Sequence, residues 1–155
     1  MDIVDSATRS RMMSGIRGKD TGPERLVRSL LHRRGFRFRL HAKELPGRPD
    51  IVFPRFRAVV LVHGCFWHGH HCPLFRLPGT RPEFWKAKIT RNRMNDERSA
   101  QRLADLGWRV ATVWECALRG KARMPAEALA DALADWLHGT SRKLVLSSVP
   151  EEDAG

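Results

Sequence analysis

DIVFPRFRAVVLVHGCFWHGHHC, residues 50–72, carries both the sheet and the chemistry of this chain. Asp50-Ile51-Val52-Phe53 reads as a short apolar strand with a carboxylate at its head. Pro54 to Arg57 turns the chain, and Ala58-Val59-Val60-Leu61-Val62 is a continuous apolar run. Such a run suits a strand buried on both faces. Two antiparallel strands joined by that turn place Asp50 and His63 at the same end of a sheet when they pair in register.

The second half of the stretch is a ligand store. Val62 to Cys72 holds four of the chain's seven histidines and two of its three cysteines. Imidazole and thiolate bind transition metals, and imidazole also moves protons near neutral pH. Cys65, His70 and Cys72 are compactly spaced, and Cys116 follows a strand expected over 108–114. Brought together they make a Cys3His set, the donor set of a closed structural zinc site. His71 competes with His70 for the imidazole position. The competing reading makes Cys116 a buried core thiol and the loop cysteines incidental. Asp50 can hold Mg²⁺ through oxygen, His63 or His68 can move a proton, and Asp96 on a later helix can orient one imidazole. Taken alone, Asp50 is a turn or cap carboxylate.

Two aromatic pairs flank the same loop. Phe66-Trp67 lies inside it and Phe84-Trp85 just beyond it. Exposed rings on a pinned loop stack on bases; the alternative puts Phe84 and Trp85 on a helix's core face. Trp108, Trp114 and Trp136 are expected in the core.

Outward from residues 50–72 the pattern is helix, strands, helix, strand, helix. Leu26, Val27, Leu30 and Leu31 mark a helix opened at Thr21–Glu24 and closed at Gly35. Phe36, Phe38 and Leu40 alternate with Arg37 and Arg39, as in a strand with one basic face. Residues 83–106 read as a long helix and 108–114 as a strand. Pro125 opens a last helix that ends at Gly139. Helices on both faces of a central mixed sheet fit this order, an α/β fold. Residues 1–20 are expected to be a polar arm, either disordered or lying along DNA, residues 21–139 the catalytic domain, and residues 140–155 a weakly ordered tail.

The 155 residues include 28 Lys plus Arg against 17 Asp plus Glu, a net charge of +11 spread through the body of the chain. A polyanion is the expected partner, with nucleic acid first. No run of about 18 apolar residues suggests a membrane span, and the first residues lack an apolar signal core. The expected location is the cytoplasm, where three cysteines argue for metal or reactive thiols over a disulfide framework.

Four segments, LPGRPD, HGCFWHGHHC, TRPEFWKAKI and LGWRVATVWECALRG, closely resemble in order and spacing those of the very short patch repair endonucleases, which act on DNA mismatches. The resemblance runs over roughly residues 6–138. It implies a restriction-endonuclease-like fold with a structural zinc site. It further implies Mg²⁺-dependent nicking of duplex DNA 5′ of the thymine in a T·G mismatch left by deamination of 5-methylcytosine. Asp50 matches the family's metal-binding aspartate, with the Val62 carbonyl as a second Mg²⁺ ligand. His63 and His68 match its active-site histidines, Asp96 the aspartate supporting His68, and Glu24 a further acid. Cys65, His70, Cys72 and Cys116 match the zinc ligands. Phe66, Trp67 and Trp85 match aromatics that wedge beside the mismatch, and Met13 a residue approaching from the opposite groove. The second strand ends Leu61-Val62-His63, without the acid and lysine of the wider nuclease superfamily, a loss the very short patch branch shares. Other members can carry Thr at Val62 and His at Gly69. The implied protein is a monomeric, nucleoid-associated repair enzyme with repair-protein partners. Its rivals are a non-catalytic zinc-stabilised DNA-binding protein and a related restriction-type nuclease.

Overall fold

The computed structural model describes residues 22–70, 72 and 75–149. The arm 1–20 with Met13, the N-cap expected at Thr21, and His71 lie outside the described residues. Five strands form one mixed sheet in chain order: β1 (Arg39–Leu40), β2 (Ile51–Phe53), β3 (Ala58–His63), β4 (Arg109–Trp114) and β5 (Lys143–Leu146). β1, β2 and β3 are antiparallel neighbours, and β3, β4 and β5 run parallel. The helices are α1 (Gly22–Arg33), α2 (Pro82–Asp105), the short α3 (Glu115–Leu118) and α4 (Ala126–His138).

The apolar run behaves as its composition dictates. Ala58, Val59 and Val60 have no exposed surface. Ala58 and Val60 face a core filled by Val27, Leu30 and Leu31 of α1 and by Leu129, Leu133, Trp136 and Leu137 of α4. Val59 and Leu61, one pleat over, face a second, smaller core with Leu103 of α2, and Trp108 packs against it. The sheet is thus covered on both sides, α1 and α4 against one and α2 against the other.

β1 is shorter than the alternation of residues 36–40 predicts. Only Arg39 and Leu40 pair with β2. Phe36 and Phe38 turn edge-on to Phe53 instead, with ring centroids 6.1 and 5.6 Å apart, joining the core rather than lengthening the ladder. At the other edge, part of the segment expected as a loose tail is β5. Lys143–Leu146 pairs with β4 in register, Val113 opposite Leu146. An open β4 edge would expose a row of backbone donors and acceptors. β5 covers that edge and adds Leu144 and Leu146 to the larger core.

Gly47, in the LPGRPD turn, fixes where α2 lies. Its φ is +73°, and a Cβ there would sit 2.7 Å from Ser99 Cβ on α2. Gly47→Ala meets both a left-handed backbone and a helix that must shift. It is expected to cost on the order of 1–3 kcal/mol, read as a lower denaturant midpoint.

Parallel pairing brings the ends of β3 and β4 out side by side, with His63 opposite Trp114. Open α/β sheets bind ligands beyond the carboxyl ends of their parallel strands. Among the described residues, no helix is long and apolar enough to cross a membrane.

Candidate active site and metal centre

Three clusters of titratable side chains stand at this end of the sheet. The first is Glu24, His41 and Asp50, whose ligand atoms lie within 4.8 Å of one another. Continuing the Ile51–Val60 register, Asp50 falls opposite Leu61, so the hairpin does deliver it to the end where His63 stands. There its Oδ2 accepts the backbone N–H of Val62 at 2.8 Å. Glu24 is buried on the first turn of α1 and bonds His41 Nε2 at 2.8 Å and Arg28 at 3.2 Å. Burial pushes the Asp50 carboxyl up to about 7; the Val62 N–H opposes this, Glu24 adds to it and His41 offsets part. Two carboxylates converging in a buried place are the oxygen donors a hard cation takes.

The second cluster is His63, His68 and Asp96. The rings of His63 and His68 stack with centroids 4.0 Å apart and planes within 7°. His68 Nδ1 is hydrogen-bonded to Asp96 Oδ2 on α2. A carboxylate on Nδ1 keeps the proton there and leaves Nε2 with the lone pair. Burial, then the neighbouring His68 and His70, hold the His63 imidazole well below its ordinary range, so it is neutral at physiological pH. Its Nδ1 is buried and has no hydrogen-bond partner among the described residues.

Cys65, His70, Cys72 and Cys116 form the third cluster. Cys65 and Cys116 are fully or almost fully buried, and His70 is buried with them. His70 Nδ1 lies 3.5 Å from both Cys65 Sγ and Cys116 Sγ. A tetrahedral ion with Zn–S about 2.3 Å and Zn–N about 2.0–2.1 Å has S···N edges of about 3.6 Å, so the donors are spaced to hold it. None of the three cysteines is in a disulfide. Burial drives the Cys65 thiol far above its usual range. Burial also acts to raise Cys116, but hydrogen bonds from Ser148 and Ser147 bring it below its ordinary value. Glu115 ties the start of the loop to α3 by accepting the Cys65 N–H at 3.2 Å.

The aromatics gather on one side of this loop. Phe66, Trp67 and Trp85 contact one another with centroids 5.2–5.8 Å apart. Trp67 is only 9% exposed, and Asn92 of α2 holds its carbonyl at 2.8 Å. Trp67 therefore supports the half-exposed rings of Phe66 and Trp85. Phe84 is 43% exposed, with the Arg81 guanidinium 4.6 Å over its ring.

A family profile described as DNA mismatch endonuclease Vsr matches residues 1–74. The chain is 50% identical over 138 residues to DNA mismatch endonuclease Vsr of Escherichia coli (strain K12), covering 89% of this chain and 88% of that one. This chain belongs to the Vsr family. It is also 54% identical over 117 residues to the type II nicking enzyme V.XorIIP of Xanthomonas oryzae pv. oryzae, covering 76% of this chain and 86% of that one. To the type II nicking enzyme V.NmeAIP of Neisseria meningitidis it is 43% identical over 121 residues, 78% of this chain and 86% of that one.

Within this Vsr-family site, the sequence reading passed over several residues. His41 bonds Glu24, yet it sits in a loop with no periodic signal. Trp114, expected in the core, is half-buried among the histidines. Its indole stacks on His70 at 4.0 Å and meets His63 edge-on at 5.2 Å. Strand parity could have found it: Trp114 shares a face of β4 with Val110, away from the core that holds Ala111 and Val113. Gly69, in the His-rich run, packs tightly. At φ +61° a Cβ there would lie 2.5 Å from Ile89 of α2.

Proposed function

We propose that this chain nicks duplex DNA on the 5′ side of the thymine in a T·G mismatch, by cation-dependent phosphodiester hydrolysis that begins very short patch repair. The observation that carries the reading is the pair of adjoining clusters at one sheet end. Asp50 is bonded to the N–H of Val62, and the next residue begins the His63, His68 and Asp96 group. Membership of a mismatch endonuclease family supports it, as does the net charge of +11.

Asp50, the Val62 carbonyl and the nearby Glu24 would hold Mg²⁺. A bound divalent cation neutralises charge on the phosphate and makes water easier to deprotonate. His68 accepts the proton of the attacking water at Nε2, held in that tautomer by Asp96. Neutral His63, stacked on His68, faces the leaving-group side of the phosphate. Cys65, His70, Cys72 and Cys116 hold Zn²⁺ and pin the loop that bears both histidines and the aromatic group. Phe66 and Trp85, backed by Trp67, enter the stack at the mismatch, where unstacking costs least. The expected place of work is the nucleoid.

End-labelled T·G and fully paired duplexes in several flanking contexts, incubated with Mg²⁺, test the proposal. A single nick in the thymine strand of the T·G duplex supports it. Binding without cleavage indicates a non-catalytic DNA-binding protein, and cutting of both strands of paired DNA a restriction-type nuclease.

Asp50 also predicts a pH dependence. Its folded carboxyl keeps a proton up to about pH 7, and a cation must displace that proton. The Mg²⁺ concentration giving half-maximal nicking should fall about tenfold per pH unit up to that point and level off above it. A requirement flat from pH 6 to 8 removes Asp50 from the cation site.

A further inference from the structure

Ser147, one residue past β5, lies where no catalytic or metal motif reaches. Its hydroxyl makes three contacts, two of them to the Cys3His cluster. Oγ is 3.3 Å from His70 Nε2, 3.6 Å from Cys116 Sγ and 3.1 Å from the backbone N of Val149, which donates to it. The next residue's backbone N–H also donates to Cys116 Sγ, at 3.4 Å.

A serine hydroxyl has one proton and two lone pairs. The Val149 N–H occupies one lone pair. His70 has its Nδ1 between Cys65 and Cys116, so the ligating form of the ring carries its proton on Nε2, and that proton fills the second lone pair. The hydroxyl proton is then directed at Cys116 Sγ, which accepts best as a thiolate. The contacts fit His70 with its proton on Nε2 and the hydroxyl proton turned to Cys116 Sγ, leaving His70 Nδ1 and Cys116 Sγ facing one another as ligand atoms. Parallel pairing makes this possible. β4 and β5 leave the sheet together, with Val113 opposite Leu146, so Cys116 and Ser147 emerge side by side.

We propose that Ser147 is a positioning residue of the metal centre: its hydroxyl fixes the His70 tautomer and accompanies the Cys116 thiolate, so the C-terminal strand is part of the zinc site. This rests on the zinc reading of the four ligands. Loss of an outer partner to a ligating histidine typically weakens metal binding about 10- to 100-fold.

The test compares zinc retention against a graded chelator in the wild type, Ser147→Thr and Ser147→Val, two side chains of equal size that differ in the hydroxyl. Zinc retained by wild type and Thr but lost about 10- to 100-fold more readily from Val supports the role. Equal retention by Thr and Val, whether both match wild type or both fall below it, overturns it. A wild-type chain that takes up no zinc overturns the zinc reading itself, a separate outcome. Thermal melting of the three zinc-free chains guards against a folding effect. Should Val fail to fold, Ser147→Ala takes its place, and retention equal to wild type again overturns the proposal.

Discussion

His68→Ala nicks a T·G duplex about 10²- to 10⁴-fold more slowly than the parent chain, and binds that duplex as tightly. The size follows from what the side chain does. A general base within reach of the water contributes about that factor, and His68 is the imidazole whose Nδ1 is engaged by a carboxylate. The unchanged binding follows from where it sits. His68 shares its loop with Phe66 and Trp67, but the fold of that loop rests on the Cys65–His70–Cys116 contacts and on Asn92, none of which the substitution touches. Single-turnover rates with saturating enzyme separate the two quantities. A near-normal rate would remove His68 from the reaction.

Asp50→Asn should act in two directions at once. Asn keeps an oxygen for the Val62 N–H, so the end of the hairpin stays closed. It cannot supply the charge that holds a cation, and cation-dependent nicking should fall by about 10³-fold or more, since several kcal/mol of charge stabilisation are lost at about 1.4 kcal/mol per decade. Stability should move the other way. The folded carboxyl titrates at about 7, above its ordinary 3.8, so the fold favours the protonated acid, and stability drains as pH rises between those values. A neutral amide carries no such penalty at pH 8. The cation-free variant should therefore melt a few degrees higher than the parent, because about 1 kcal/mol moves Tm by about 2–4 °C in a domain of this size. An activity loss accompanied by a lower Tm would mean that Asp50 is a structural carboxylate.

The hairpin was the most legible part of the fold. A run of five apolar residues with no polar interruption admits few places other than a strand buried on both sides, and Ala58–Leu61 occupies one. The Cys3His cluster was nearly as legible, because Cys65, His70 and Cys72 are close in sequence and thiolate and imidazole have few shared uses. That His70 joins the two buried cysteines is visible only in space, since adjacent histidines in a loop have no periodicity to separate them, and His71 lies outside the described residues.

What local pattern could not show was long-range pairing. Lys143–Leu146 is four residues long and becomes a strand only because β4 offers an open edge. Ser147 gains its position from that pairing alone. Trp114 looks like any strand tryptophan until the parallel register sets it opposite His63. His41 meets Glu24, 17 residues away in sequence, from the head of the loop that turns through left-handed backbone at Gly47 and Arg48. In each case the deciding contact is non-local, and single-sequence periodicity reports only neighbours along one element.

The proposed nicking chemistry rests most directly on His68 and Asp96 acting as one unit. Single-turnover nicking of a T·G duplex by His68→Ala, Asp96→Asn and the double variant measures that unit. If Asp96 acts only by holding the His68 ring, both single variants are slow and the double is no slower than His68→Ala alone. A double variant slowed by the product of the two single losses would contradict it, because Asp96 would then contribute to nicking without His68.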